Sequence, residues 1–507
     1  MNKVLKGLVA VAATAAMAIA GVAGASTAMA EENTTATTNP TITFPTDTKY
    51  QDHTYEVYQI FTGDLSDGVL SNVKYGENGA KTKGTEVTAA ELKQLTDVNV
   101  EGKTDQDKLD VIKTFANLDS TPIATLTKDH KTYSAAPGYY LIKDKDNTVS
   151  GNDANTLYIT KVVGDVTISP KSDVPSFQKK VKDTNDTTGD TTGWQDSADY
   201  DIGDEVPFQL KATLPSNYAD YKTYYLAFHD VEEKGLSFDP NSVKVAVNGT
   251  SVDASNYTVK TAEDLTDGCT FEVVFTDLKT AVAATNSSEI TVDYTSTLTT
   301  NATLGNQGNV NKAMLQFSNN PNSEQGGEST PTGETPWDKV IVFTYKVVVN
   351  KVNKNEEALD GAAFKLEKKI KDADNQLVKE FTAGKDTSFT FSGLDDGDYI
   401  LTETTTPAGY NTIKPITFTV TADHKVEWTT EERTDVLTSL NGNAAFGEIT
   451  FAADKSAGSL TADVVNVKGS NLPSTGGMGT VMLYVAGVAV FVLAGATLIM
   501  ALRRRNA

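Results

Sequence analysis

The sequence predicts a mainly β protein of three tandem domains. The first is mixed but mostly β, and the last two are β-sandwiches. Three observations predict it. Short runs of alternating apolar and polar residues recur through much of the chain, the period of a strand with one buried face. Asn, Gly, Asp and Pro clusters separate these runs, as hairpin turns require. A chain of 507 residues, less an apolar segment at each end, has the length of about three domains.

In chain order, residues 1–30 come first. Lys3 and Lys6 precede an Ala/Val/Leu run, and Ala28-Met29-Ala30 is a small-x-small site. This is an export signal, with cleavage expected between Ala30 and Glu31. The first domain spans 31–170 after an Asn/Thr-rich start. A strand is expected at 55–61, helices at 88–94 (with Thr88 as a cap) and 105–118, and further strands at 139–142 and 162–168. The second domain spans 171–325, with alternating runs at 208–212, 225–228, 243–247, 271–275, 290–294 and 314–317. Residues 326–339 are a linker by composition. The third domain, 340–468, shows strands at 343–349, 363–368, 389–391, 399–403, 416–420 and 464–467. Residues 469–507 hold a polar piece, Leu472-Pro473-Ser474-Thr475-Gly476, an apolar run and Arg503-Arg504-Arg505. The apolar run, 481–502, is roughly 22 residues, enough for one transmembrane helix. The arginines would hold its end on the cytoplasmic side.

Composition excludes several classes. The net charge is −23, and without the five positive charges of Lys3, Lys6 and the three terminal arginines it is −28 for residues 31–475. So acidic a chain does not bind nucleic acid through phosphates. The four histidines, His53, His130, His229 and His424, are scattered, and no phosphate loop or hydrolase nucleophile motif occurs. No metal or other cofactor is expected, and no enzymatic turnover. The single cysteine, Cys269, forbids an intrachain disulfide, so an exported chain of this size needs another source of stability.

The five-residue motif, apolar span and basic tail, in that order, resemble the cell-wall sorting signal of Gram-positive surface proteins. In that family sortase cuts between the Thr and the Gly, and an amine then takes the acyl group. The resemblance places the cut between Thr475 and Gly476. In the third domain, Leu359-Asp360-Gly361-Ala362-Ala363-Phe364, then Gly397-Asp398-Tyr399-Ile400-Leu401-Thr402-Glu403-Thr404, then Pro407-Ala408-Gly409-Tyr410, resemble the immunoglobulin-like Cna-B domain of Gram-positive adhesins and pilins. In that family a Lys and an Asn join side chain to side chain beside a Glu. The matching residues are Lys351, Asn466 and Glu403. Alternation supports the lysine independently: Tyr345, Val347, Val349 and Lys351 share one strand face. A lone buried ammonium is costly, so its pKa falls and that of a neighbouring carboxyl rises. A neutral amine and a protonated acid are what attack on a carboxamide requires.

The second domain repeats the logic. Phe177, Lys179 and Val181 share a face, as do Leu226, Phe228 and Asp230, and Leu315, Phe317 and Asn319. With Phe317-Ser318-Asn319-Asn320-Pro321 it resembles the middle domain of fimbrial major subunits, which implies a Lys179–Asn319 bond promoted by Asp230, with Lys180 and Asn320 as register alternatives. Finally, Gly164-Asp165-Val166-Thr167-Ile168-Ser169-Pro170-Lys171 resembles the pilin motif of sortase-assembled pili, with Ser169 where that motif usually has Tyr. The resemblance implies that Lys171 takes the Thr475 acyl group of another copy. Together these imply a shaft subunit of a covalent pilus: a homopolymer whose partners are pilus and housekeeping sortases, minor pilins and peptidoglycan. The alternatives are a monomeric wall-anchored adhesin and a minor tip or basal pilin. The ligand to which such a pilus adheres is not legible.

Overall fold

A computed structural model describes residues 39–66, 69–97, 105–156, 158–162, 164–170, 172–445 and 448–469. The expected export signal with Ala30 and Glu31, the expected acceptor Lys171, the motif Leu472, Pro473, Ser474, Thr475 and Gly476, and the apolar run all lie outside the described residues.

The first domain is built on the long strand Tyr55–Ser66. It pairs antiparallel with Val69–Tyr75, Gly138–Asp144 and Ala124–Leu126, and Ile159–Val162 extends the sheet beyond Gly138–Asp144. A smaller sheet joins Thr41–Thr43 to Thr132–Ser134 and, in parallel, to Val166–Thr167. The helices are Ala89–Asp97 and Asp105–Lys113. Thr88 caps the first: its Oγ1 accepts from the Glu91 amide at 3.3 Å, and Glu91 Oε2 accepts from the Thr88 amide at 2.8 Å. This reciprocal pair satisfies two end donors.

Just before the long strand of this domain lies a buried imidazole. His53 Nδ1 is 2.7 Å from Asp144 and Nε2 3.0 Å from Asp153. Burial pulls its pKa down, but hydrogen bonds to Asp144 and then Asp153 outweigh that and raise it from 6.5 to about 9. A raised cationic pKa stabilises the fold fully below pH 6.5 and is lost as pH rises through 9. Thermal melts of the first domain's transition should therefore fall across that window. His53→Gln should flatten the dependence; an unchanged slope would remove His53 as its source.

The middle domain is a sandwich. One sheet holds Ser176–Val181, Glu205–Thr213, Glu289–Leu298, Lys244–Val247, Thr250–Ser251 and Leu236–Phe238. The other holds Ser197–Asp199, Asp338–Phe343, Asn309–Ser318, Leu226–Glu232, Phe271–Phe275 and Thr258–Thr261, with Thr332–Glu334 at its side. Alternation does what the sequence implied: Val206, Phe208, Leu210 and Ala212 turn inward from one strand, and Ile290, Val292 and Tyr294 from the next.

The stretch 326–339 differs from the linker expected. Thr332–Glu334 and Asp338–Phe343 both pair with Asn309–Ser318, so the middle domain runs on to Phe343. Val340 and Val342 enter the middle core, while Ile341 and Phe343 enter the third domain's core. A strand buried on both faces reads as a continuous apolar run, without the alternation that marks a half-buried one.

The third domain is a second sandwich. Ser388–Leu394, Tyr345–Asn353, Ser459–Asn466 and Phe451–Asp454 form one sheet. Gln376–Glu380, Ala363–Lys368, Gly397–Thr405, Ile416–His424 and Leu437–Ala444 form the other. Its first and last strands lie side by side and parallel, with Lys351 opposite Val464 and Asn353 opposite Asn466.

Candidate functional site: two buried lysines beside acids and carboxamides

In the third domain the structure brings Lys351, Glu403 and Asn466 together. Tyr345–Asn353 supplies the lysine, Gly397–Thr405 the acid and Ser459–Asn466 the amide. Lys351 and Asn466 are fully buried, and Glu403 is 5% exposed. Glu403 Oε1 stands 4.0 Å from Lys351 Nζ. Its two oxygens accept from Asn466 Nδ2 at 2.9 and 3.2 Å. Lys351 Nζ also donates to the Val464 carbonyl at 2.6 Å. Burial lowers the pKa of Lys351 from 10.5 to about 8, against a smaller opposing pull from Glu403. An appreciable fraction of the amine is then neutral near pH 7 to 8, as a nucleophile must be.

In the middle domain Lys179 and Asp230 meet as expected, both fully buried, with Nζ 2.5 Å from Oδ2. Tyr294 ties them: its hydroxyl accepts from Lys179 Nζ at 2.6 Å and donates to Asp230 Oδ2 at 2.8 Å. Burial pushes Lys179 down and Asp230 up, both towards their neutral forms. Glu232 lies next to this group, and burial followed by the charge of Asp230 raises it to about 8.

Asn319 is not the carboxamide at this site. Asp230 pairs with Ala313, and Asn319 lies six residues further on, roughly 20 Å along the strand direction. It sits at the junction with the first domain, where its carbonyl accepts from the Asn155 amide at 2.7 Å. The amide beside Lys179 belongs to Asn311, fully buried, whose Nδ2 donates to the same Tyr294 hydroxyl at 2.9 Å and to Glu232 at 3.1 Å. The reason is strand direction. Asp230 and Asn319 each follow an apolar pair towards the C-terminus, and antiparallel neighbours carry those ends to opposite edges of the sheet. Reading the alternation backwards from Phe317 and Leu315 through Ala313 would have reached Asn311. The register alternatives fail as well. Lys180 Nζ reaches Asp196 at 2.6 Å and Glu427 at 3.1 Å, and Asn320 accepts from the Asn322 amide.

A third buried lysine, Lys368, was not singled out by the sequence. Its fully buried Nζ contacts Asp395 of its own domain, and Asp201 at 2.6 Å and Asp186 at 2.9 Å from the middle domain. Burial pulls its pKa down, but Asp395 and then Asp201 outweigh that and hold it above the usual lysine range. It is a permanent ammonium joining two domains, the opposite of Lys179 and Lys351.

Lys171 itself lies outside the described residues, but its flanks bracket it. The last strand of the first domain, Val166–Thr167, comes before, and the first strand of the middle domain, Ser176–Val181, comes after. Among the described residues no helix is long and apolar enough to cross a membrane.

Comparison with known proteins agrees with this architecture. Residues 202–321 match a family described as Gram-positive pilin backbone subunit 2, Cna-B-like domain. Residues 345–434 match a prealbumin-like fold domain called SpaA. The Cna-B-like description thus falls on the middle domain, and the third domain matches the prealbumin-like family. The chain is a modular β protein with one segment similar to a pilin-backbone domain and another similar to a prealbumin-like domain. It is homologous to the trypsin-resistant surface T6 protein of Streptococcus pyogenes serotype M6, with 27% identity over 356 residues, 66% of this chain and 60% of the relative. The chain therefore spans about three fifths of that relative's length. The solved T6 backbone pilin of the same serotype, described as a modular three-domain structure, superposes with a TM-score of 0.50 at 18% identity, covering 85% of this chain and 98% of that one. That likeness concerns the fold.

Proposed function

We propose that this protein is the shaft subunit of a covalent cell-surface pilus and that it stiffens itself with two internal isopeptide bonds. The observation that carries the reading is the pair of buried lysines, each with a lowered pKa and each meeting an acid from the facing sheet with a carboxamide alongside. In the third domain the neutral Lys351 amine attacks the Asn466 carboxamide carbon. Glu403, in contact with the amide nitrogen, relays one proton from the attacking Lys351 nitrogen to the departing nitrogen. A C–N bond to Lys351 forms, the C–N bond to the amide nitrogen breaks, and ammonia leaves. In the middle domain Lys179 and Asn311 do the same, with Asp230 as the acid. Each is a single self-modification without turnover.

Assembly is then sortase chemistry on this chain. Thr475 of one copy is joined to the ε-amine of Lys171 on the next, giving a homopolymer. The terminal copy, or a minor pilin at the base, is joined to peptidoglycan. The match of residues 202–321 to a pilin-backbone family and the homology to the T6 surface protein support the shaft role over a monomeric adhesin or a tip subunit.

Intact mass separates the two candidate carboxamides. The protein should weigh two ammonias less than its processed sequence. Asn311→Ala should retain one of them, while Asn319→Ala should leave the two-ammonia deficit in place. The reverse pattern would return the bond to Asn319, and no deficit in the parent would remove both bonds.

A further inference from the structure

The outer face of the middle domain's larger sheet gathers four metal-ligating side chains that the pilus reading leaves unused. His229 and Glu272 sit directly opposite one another on Leu226–Glu232 and Phe271–Phe275. Asp267 and Cys269 come from the turn that leads into the second of these strands. His229 Nδ1 lies 3.1 Å from Asp267 Oδ2 and 3.1 Å from Glu272 Oε1. Cys269 Sγ lies 3.7 Å from that nitrogen and 3.1 Å from Asp267 Oδ2. All four donor atoms fall within 4.8 Å of one another. The one cysteine of the chain and one of its four histidines therefore share a single site.

Hydrogen bonding accounts poorly for this group. Nδ1 has at most one proton to give, yet two carboxylate oxygens and a sulfur converge on it. The ring is 94% buried on a residue basis (6% exposed), and its Nε2 has no partner, so Nδ1 alone fixes it. A divalent cation at the centre would use every converging atom. In a tetrahedral zinc site, with metal–N and metal–O near 2.1 Å and metal–S near 2.3 Å, ligand atoms stand roughly 3.3–3.6 Å apart. Four of the six separations, 3.1 to 3.7 Å, bracket that spacing, and the other two lie within 4.8 Å. Outer contacts hold the ligands as such sites require: the Cys269 amide donates to Asp267 Oδ1 at 3.1 Å, and Lys260 stands 3.6 Å from Glu272 Oε2.

We propose that His229 Nδ1, Cys269 Sγ, Asp267 Oδ2 and Glu272 Oε1 bind one borderline-soft divalent cation of the zinc class. A nitrogen and a thiolate among four ligands disfavour calcium and magnesium, which take oxygen. As the Sγ–metal bond forms, the thiol proton leaves to solvent. Asp267, with its side chain 42% exposed, is the open side. The ion pins the turn to the sheet and shields the only thiol of an exported chain from oxidation.

The test uses the full chain recovered from its own cells, stripped with chelator under reducing conditions and titrated with Co2+ and Zn2+. One equivalent should bind, and Co2+ should give a tetrahedral spectrum with a thiolate charge-transfer band. Cys269→Ser should abolish that band and weaken Zn2+ at least tenfold. Glu272→Gln should weaken Zn2+ while keeping the band, which covers the case in which the serine variant misfolds. Absence of the band in the parent, or equal Zn2+ affinity in parent and both variants, would overturn the site.

Discussion

Glu403→Gln should leave the third domain uncrosslinked, one ammonia heavier after allowance for the substitution, and much less stable. Gln cannot relay a proton to the departing nitrogen, and it removes the carboxyl group that stands 4.0 Å from the buried Lys351 Nζ. The bond at stake ties the first strand to the last. It closes a loop of more than a hundred residues, so on the chain-entropy account its loss removes roughly 4–5 kcal/mol. For a domain of this size that corresponds to a drop of roughly 15–25 °C in the melting transition. The loss should be insensitive to reductant, because no disulfide is involved. Lys351→Met makes a useful companion: it also prevents the bond but replaces the buried amine by an apolar chain of similar length, so its melting loss isolates the covalent contribution. If Glu403→Gln has the same ammonia deficit as the parent, Glu403 is not the acid. The geometry of the Asn466 amide, 2.9 and 3.2 Å from its two oxygens, would then be structural only.

In the third-domain trio a local pattern marks only Lys351, which follows three apolar residues at period two, while Glu403 and Asn466 were reached through the family resemblance. The structure sets Glu403 on Gly397–Thr405, in line with the inward Tyr399 and Leu401. The middle domain shows where such reading stops. Alternation gives the face of a residue but not its height, and height depends on the partner strand. Lys179, Asp230 and Asn319 were all assigned inward faces, yet antiparallel pairing with Leu226–Glu232 sets Asn311, not Asn319, beside the acid. Tyr294 and Glu232 were missed for the same reason, since their roles exist only once two sheets face one another. Lys368 had no sequence signal, because Asp186 and Asp201, two of its three partners, come from another domain. The boundary at 343 was obscured because Asp338–Phe343 serves two cores at once. What composition reads as a linker can be an edge segment pinned into a sheet, as Thr332–Glu334 is.

Those same interdomain contacts bear on the largest functional effect expected, that of Lys171→Ala. A pulled shaft is only as strong as its weakest join. Within the chain the joins between the middle and third domains are dense: the shared strand Asp338–Phe343, the Lys368 ion cluster, and the Arg433 guanidinium on Glu233 at 2.6 Å. Between copies, the proposed join is one amide from Thr475 to Lys171. Lys171→Ala should therefore abolish the ladder of high-mass species that survives boiling in detergent and reductant, leaving monomer on the wall. Thr475→Ala should remove both the ladder and the wall-linked monomer, because the acyl donor is lost to every amine. The two internal ammonia losses should persist in both variants, which separates assembly from folding. A branched peptide containing the Thr475 carboxyl and the Lys171 amine should be recoverable from the parent alone. A ladder that persists in Lys171→Ala would move the acceptor to another lysine. If the parent yields Thr475 only on peptidoglycan, with no ladder, the shaft reading falls. The crosslinked domains would then serve a monomeric surface protein, held rigid for binding rather than for traction.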